Sequence, residues 1–406
     1  MKISLKIFNT IAARGGVALG NFLLPILIAS YYGLEKLGLF ATIISAITFF
    51  HIILKFGMDK VLMREVAKLE KIKEFIVLAL KIFLIVLMFL TSLIAVFKVY
   101  MNFDFEQYIH YILITSIPFT LVFLNSAIIQ ALSKPDLGLV FNPGLVSLLL
   151  CVLIFFLHHQ ISVNELLSIY SLMLWILFLI SSICVLFFIR NEKKYSIKIF
   201  EKKSFIKTSF VFFIISFFIY SQQISLTFTL NYFEDLNTVG LIRYVEKISL
   251  IFTFPLMVVV AIFSPRFSFS FYKKDTIKLK NSFFEALKLC SVLGFILFLG
   301  LIVCWILFKQ FIPSEYENLV IYAIPFFAAQ FFNLATGPSD VLLGMVGEEK
   351  FLLFLTVFSG LLSIVLFYIS LLFLELIYAV YIMNIIYIIR NILQLRYALL
   401  FVKESK

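Results

Sequence analysis

The stretch VGLIRYVEKISLIFTFP, residues 239–255, carries Arg243, Glu246 and Lys247 inside an otherwise apolar run. At about 100° per residue in an α-helix, these three side chains share one side of the helix. An ionisable group near the middle of a bilayer costs roughly 2.5–3.5 kcal/mol even on a lenient insertion scale. The stretch therefore predicts a membrane helix whose charged face points into a protein interior or a water-filled cavity.

The composition places the rest of the chain in lipid as well. Hydrophobic residues make up 63% of the 406 residues and charged residues 14%, whereas about a quarter of the residues of a soluble chain are charged. A helix needs about 20 apolar residues to cross the bilayer core. Runs of that length predict twelve transmembrane helices at roughly 8–32, 38–57, 76–100, 108–131, 138–158, 167–189, 208–231, 239–262, 284–308, 318–343, 351–373 and 376–400. We therefore predict an all-α integral membrane protein with six spans in each half, divided into residues 1–203 and 204–406.

The charges of the loops predict the orientation of these spans. Most of the 34 Lys and Arg residues fall on one side, above all in 190–207 and 266–280, whereas the opposite side has Lys36, Lys98 and Lys309. Cytoplasmic loops are enriched in Lys and Arg, so both termini are predicted to be cytoplasmic. The first apolar run is long and lacks a cleavage site, which favours a first span over a removable signal peptide. We expect a multi-pass protein of the cytoplasmic (inner) membrane.

Motifs of the commonest enzyme and cofactor sites do not occur in the sequence. The four cysteines lie singly in apolar spans, without the spacing of a metal site or a disulfide framework. No GxxxxGK[ST], GxSxG, HExxH or GxGxxG is present. The positive charges are dispersed over separate loops, which disfavours nucleic-acid binding. We therefore expect a protein that is not an enzyme and that has no cofactor, metal or nucleic-acid partner.

The two halves of the sequence share a local pattern. YYGLEKLGLFATIISAI (31–47) opens the second span and NYFEDLNTVGLIRYVEKI (231–248) opens the eighth, with an aromatic pair, an acidic short loop and a Gly that enters the helix. Each half also has a short turn between its fourth and fifth spans, ALSKPD and GMVGEEK. Because six is an even number, the two copies would share one orientation in the membrane, as in parallel transporter repeats.

Three segments together resemble a known family. Residues 15–68, 239–268 (VGLIRYVEKISLIFTFPLMVVVAIFSPRFS) and 337–351 (GPSDVLLGMVGEEKF) are similar in kind and order to Wzx-type polysaccharide flippases of the multidrug/oligosaccharidyl-lipid/polysaccharide exporter superfamily. The resemblance implies two six-helix bundles around a central cavity. It also implies translocation, by alternating access, of undecaprenyl-pyrophosphate-linked oligosaccharide repeat units for O-antigen or capsule synthesis, with the lipid tail remaining in membrane lipid.

Polar faces on three predicted spans provide candidate substrate-binding residues. Cations would bind the pyrophosphate through charge-assisted hydrogen bonds, and hydroxyls and amides would replace the water that sugar hydroxyls lose. The candidates are Arg14 and Asn21 in the first span, Gln223, Thr227 and Asn231 in the seventh, and Arg243 and Lys247 in the eighth. The opposite face of the first span, with Gly16 and Gly20, predicts close helix packing.

Every candidate except Lys247, which is left over beside the pair of Arg243 and Glu246, also has a structural explanation. Arg243 and Glu246 are spaced to form an ion pair that only holds helices together. Arg14 lies near a helix start and could reach the interface, as could Lys55, Arg390 and Arg396. Single Asn, Gln or Thr residues in membrane helices often form hydrogen bonds between helices.

The energy source and two rival functions complete the predictions. Without a nucleotide motif, a proton or sodium gradient is expected, and the few membrane acids, Glu246 and Asp340, are the candidates for ion coupling. The nearest alternative is a small-molecule or drug exporter of the same superfamily. A membrane glycan polymerase is a weaker alternative, because no large outer loop is predicted.

Overall fold

The computed structural model describes residues 2–65, 72–100, 106–132, 135–191, 202–308 and 319–404, which contain helices and no strand. The predicted cytoplasmic charges of 66–71 and 192–201 lie outside the described residues. The helices are α1 (Lys2–Tyr32), α2 (Leu34–Lys55), α3 (Met58–Glu65), α4 (Ile72–Tyr100), α5 (Glu106–Ala131), α6 (Pro135–Val140), α7 (Pro143–Leu157), α8 (Val163–Asn191), α9 (Lys202–Phe233), α10 (Leu236–Ser249), α11 (Thr253–Tyr272), α12 (Thr276–Phe308), α13 (Leu319–Ala335), α14 (Ser339–Met345), α15 (Glu349–Phe373) and α16 (Leu376–Glu404).

The helices confirm an all-α integral membrane protein. Within the described ranges, ten segments are long and apolar enough to cross a bilayer, with α10 and α11 counted as one. Helices α13 and α14 meet the same test only when they are taken together, across a bend of 44°, and the shorter apolar helix α7 lies where the fifth span is predicted. Every one of the twelve predicted spans thus has a helical counterpart.

Several spans are less regular than the sequence predicts. A 3-10 turn at Leu250–Phe252 joins α10 to α11 inside the predicted eighth span. The tenth span breaks between α13 and α14, where Gly337 has a φ of 61°. The second span ends at a left-handed pair, Phe56 with φ 48° and Gly57 with φ 69°. Hydropathy averages over such breaks, so an apolar run predicts a crossing but not its internal geometry.

Contacts divide the chain into two compact units, Met1–Phe228 and Thr229–Lys406. This division lies inside helix α9, and the predicted boundary between residues 203 and 204 stays a prediction from span counting. In the first unit, Gly20 lies against the backbone of Leu148 in α7, where an added Cβ would be 2.6 Å from the Leu148 nitrogen. Gly16 faces the same leucine. The predicted small-residue packing face of the first span is therefore confirmed.

The second unit has a core rich in phenylalanine. Phe252, Phe263, Phe267 and Phe283 are almost fully buried and belong to one cluster, which also takes in residues of α14 and α16. Many other large apolar side chains on the same helices are exposed. Exposed apolar helix faces are expected where lipid, rather than water, surrounds the protein.

Candidate functional site

The charged face of the opening sequence lies on helix α10, and the preceding loop fixes where this helix begins. The Asp235 side chain accepts a hydrogen bond of 2.8 Å from the Thr238 backbone N–H and so caps the helix. Arg243 Nη1 donates to Glu246 Oε2 at 2.5 Å, and both residues are buried, with 8% and 6% exposure. The structural explanation weighed for these two residues, an i,i+3 ion pair, is therefore what the structure shows.

Lys247 is the remaining charge of this face. It is partly buried and interacts electrostatically with both Arg243 and Glu246, but it has no ion-pair partner among the described residues. The three residues together carry a formal charge of +1. An excess positive charge on the face of a membrane helix favours an anionic group as the ligand of this face.

The predicted polar stripe of α9 is divided between different environments. Thr227 is fully buried, and its Oγ1 lies 3.1 Å from Ser45 Oγ of α2. Asn231 is partly buried and has interactions of its own. The side chain of Gln223 lies outside the described residues. The hydroxyl of Thr227 thus forms a contact between two helices, and sugar binding by these residues stays a prediction.

The candidates on helix α1 are described only in part. The side chain of Arg14 lies outside the described residues. Asn21 is exposed and lies on the side of α1 that approaches α7. A Cβ added to Gly144 of α7 would be 3.1 Å from the Asn21 Nδ2. Asn21 therefore has a free surface next to a close helix contact.

Asp340 lies in the first turn of α14 and is exposed. Its carboxylate is attracted electrostatically to Arg390 of α16. The Arg390 guanidinium lies 4.6 Å from the centre of the Tyr387 ring, and its Nε is buried without a hydrogen-bond partner in the described part of the chain. Arg390 is thus half-buried beside an aromatic ring in the second unit, and its interfacial position stays a prediction.

Helix α16 also carries buried amide side chains. Asn384, Asn391 and Gln394 are 3–8% exposed. These amides give α16 a buried polar face, and Asn391 directly follows Arg390 in the sequence.

A cluster of ionisable residues in the first unit was missed. Lys55 Nζ lies 3.3 Å from Asp59 Oδ2, and the two residues are 6% and 7% exposed. One turn earlier, His51 is buried, with Nδ1 3.1 Å from Thr120 Oγ1 of α5. Lys55 was predicted to reach the interface, and this was wrong because the chain turns at Phe56 and Gly57 and returns Asp59 to it. The i,i+4 spacing of Lys55 and Asp59 was the available signal.

The described candidates are divided between the two units. Asn21 and Thr227 belong to the first unit, whereas Asn231, Arg243, Glu246, Lys247 and Asp340 belong to the second. Among the predicted site residues that the structure describes, only Arg243, Glu246 and Lys247 interact with one another as a group. The first unit has its own charged group, Lys55 with Asp59.

Comparisons with known proteins place this fold. No protein-family model and no curated protein sequence matches the chain. Among solved structures, an inward-facing multidrug resistance MATE family transporter of the MOP superfamily has a TM-score of 0.66 at 14% identity, over 96% of this chain and 98% of that one. The MATE multidrug transporter DinF-BH, solved in complex with a ligand, has a TM-score of 0.66 at 18% identity, over 98% of this chain and 94% of that one.

A third structure differs in its described function. It is a MOP superfamily transporter from Pyrococcus furiosus, for which the reverse polarity of the binding pocket was taken to suggest a different function. Its TM-score is 0.64 at 14% identity, over 98% of this chain and 95% of that one. At these identities, the likeness shows a shared fold. The chain therefore has the fold of MATE transporters along nearly its whole length.

Proposed function

We propose that this protein is a transporter that works by alternating access and exports small amphiphilic molecules across the cytoplasmic membrane. The observation that carries the proposal is the likeness of 96–98% of the chain to multidrug transporters of the MATE fold. Solved structures of that fold include inward-facing and outward-facing conformations of a MATE family transporter. Two compact units and several interrupted helices in this chain support the same mode of action.

In this proposal, the charged groups of the second unit select the substrate. Arg243 is neutralised by Glu246 at 2.5 Å, so Lys247 provides the excess charge. The substrate is then an amphiphile with a neutral or anionic polar group. Coupling to a proton or sodium gradient belongs to the proposal, with Asp340 as the better candidate because Glu246 is already paired.

A second candidate function is the translocation of lipid-linked oligosaccharides by their pyrophosphate group. The observation that favours it is the excess positive charge of the Arg243, Glu246 and Lys247 group, which suits a diphosphate better than a cationic drug. The relative with a pocket of reverse polarity gives a precedent for a change of substrate charge on this fold. Small-molecule export remains first, because two of the reported structures are described as multidrug transporters.

Transport by the full chain in proteoliposomes distinguishes the two candidates. We expect gradient-dependent movement of an anionic fluorescent dye and little movement of a cationic rhodamine dye of similar size. The flippase candidate instead predicts movement of an undecaprenyl-pyrophosphate oligosaccharide and none of either dye. Equal rates in the presence and absence of protein for all three substrates would contradict both candidates.

The variant Lys247→Gln links the transport assay to the site. It removes the excess charge and leaves the pair of Arg243 and Glu246 in place. We expect transport of the anionic dye to fall about tenfold, which corresponds to the loss of about 1.4 kcal/mol of charge-assisted binding. The matched control is Lys280→Gln, an exposed lysine of the same unit. An equal loss in both variants would contradict the role of Lys247.

A further inference from the structure

A shallow, open cavity of about 260 Å³ lies between the starts of helices α4 and α9, both in the first unit. Its walls are Glu74, Val77, Leu78 and Lys81 of α4 and Lys202, the first residue of α9. The four residues of α4 are spaced by three, one and three, which places them on one helix face. The volume is many times the roughly 10–15 Å³ that one water needs, so the cavity can hold a polar group larger than an ion.

The packing next to the cavity is well defined. Phe75 of α4 and Phe205 of α9 are 5% and 1% exposed, and their ring centres are 5.7 Å apart. Phe75 directly follows Glu74 of the cavity wall, and Phe205 lies one helical turn after Lys202. This contact holds α4 and α9 together where the cavity lies, so the cavity is a feature of the helix packing.

The cavity has an excess of positive charge. Lys81 and Lys202 are exposed, and neither has an ion-pair partner in the described part of the chain. With the carboxylate of Glu74, the formal charge of the walls is +1. A phosphodiester carries one negative charge, so it complements these walls, and two ammonium groups from different helices can bind its oxygens from two sides.

The depth of the two lysines fits the headgroup region of a membrane. Lys81 lies about 10 Å further along the α4 axis than Glu74, at about 1.5 Å per residue. Side chains of a helix point back toward its N-terminus, which the loop charges predict to be cytoplasmic. The Lys81 ammonium group can therefore reach back toward the interface, where Lys202 begins α9.

The surface next to the cavity is apolar. Leu80, Leu84 and Ile85 on α4 are 43%, 54% and 66% exposed. A ligand that carries a phosphate group and acyl chains would satisfy the cavity and this surface at the same time. We propose that the cavity binds the phosphodiester headgroup of a membrane phospholipid from the cytoplasmic leaflet, with Lys81 and Lys202 on the phosphate and Leu84 and Ile85 along the start of its acyl chains.

This inference does not depend on the transported substrate, and lipid binding to the purified full chain tests it. Native mass spectrometry in detergent would measure retention of phosphatidylglycerol by the wild type, Lys81→Gln, Lys202→Gln and the double variant. A basic residue near a phosphate contributes about 1 kcal/mol, so each single variant should bind about fivefold more weakly and the double variant about thirtyfold. The double Lys→Arg variant should retain binding and shows that the site tolerates substitution.

Two sets of controls make the outcome decisive. Lys207→Gln removes an exposed lysine on α9 that lies about 140° around the helix from Lys202, and it should bind lipid as the wild type does. Phosphatidylcholine, which has no net charge, should bind more weakly than phosphatidylglycerol. Unchanged lipid retention in the double Gln variant would overturn the proposal. Displacement of the lipid by inorganic phosphate at similar concentration would also overturn it, because the site would then bind a soluble anion.

Discussion

Two buried ion pairs, one in each unit, use similar sequence spacings on different backbones. Arg243 and Glu246 lie within the continuous helix α10, 2.5 Å apart. Lys55 and Asp59 are 3.3 Å apart and lie on either side of a helix break, where Phe56 and Gly57 take left-handed conformations. The first pair needs only regular helix geometry, whereas the second needs one particular turn.

The turn of the second pair depends on a neighbouring helix. A Cβ on Gly57 would lie 2.3 Å from the Ser209 carbonyl oxygen and 2.5 Å from the Phe213 nitrogen, both of α9. Only glycine fits both the φ of 69° and this close approach. An ion pair within one helix can therefore be predicted from its sequence spacing, whereas an ion pair across a helix break depends on tertiary packing.

The two pairs also differ in how completely they are satisfied. Asp59 Oδ1 is buried without a hydrogen-bond partner among the described residues, and Lys55 Nζ lies 5.8 Å from the centre of the Phe123 ring. The pair of α10 has an additional cation beside it, Lys247. Loss of the acid should therefore have different consequences in the two units.

The largest effect is expected for Glu246→Gln. It leaves Arg243 buried without its carboxylate, and breaking a buried pair costs about 3–5 kcal/mol. Thermal unfolding of the purified protein in detergent measures the loss. The double variant Arg243→Gln/Glu246→Gln should recover most of it, because no uncompensated charge is left. A double variant as unstable as the single one would mean that Arg243 is stabilised by something other than Glu246.

A smaller loss is expected for Asp59→Asn, measured in the same way. Lys55 loses its carboxylate, but its ammonium group still has an attractive partner, because it stays 5.8 Å from the centre of the Phe123 ring. The matched control is Lys55→Met/Asp59→Leu, which removes both charges. A larger loss of stability in Asp59→Asn than in Glu246→Gln would contradict this order and would make the ion pair across the helix break the more important of the two.

The neutral contact between α2 and α9 should matter less than either ion pair. Thr227→Val removes one partner of the 3.1 Å hydrogen bond with Ser45 and should cost about 1 kcal/mol, because a buried hydrogen bond between two helices is lost. The double variant Ser45→Ala/Thr227→Val should be closer to the wild type. A transport defect at normal stability, with no recovery in the double variant, would instead support the predicted role of Thr227 in binding substrate.

The smallest effect concerns the cap of α10. The backbone N–H of Thr238 donates to Asp235 and holds the pKa of that carboxyl below its usual value. Its stabilisation is therefore complete above the unfolded pKa, about 3.9, and is lost as pH falls through the lower folded value. Asp235→Ala should cost about 0.5–1 kcal/mol at pH 7. Asp235→Asn still caps the helix but does not titrate, so it should remove this pH dependence. Thermal unfolding between pH 3 and pH 7 measures the effect. Equal stability of the wild type and Asp235→Ala at every pH would mean that the cap contributes nothing.

The accuracy of the sequence predictions follows the range of the interactions involved. Gly16 and Gly20 were predicted to form a packing face, and they contact Leu148, because a helix period alone puts them on one side. The pair of Arg243 and Glu246 was anticipated for the same reason. Lys55 was wrongly predicted to be interfacial, since its partner Asp59 follows a turn that packs on another helix.

By itself, the sequence determined the membrane class, the twelve spans and the helix face of each charge, because hydropathy and helix period act over a few turns. Tertiary structure alone decided which charges are neutralised and which remain available: it returned Asp59 to Lys55 through a turn packed on α9, and it brought the exposed Lys81 and Lys202 to the walls of one open cavity. The physical reason is that a charge in a membrane protein is satisfied by its nearest partner in space, and that partner is often remote in sequence.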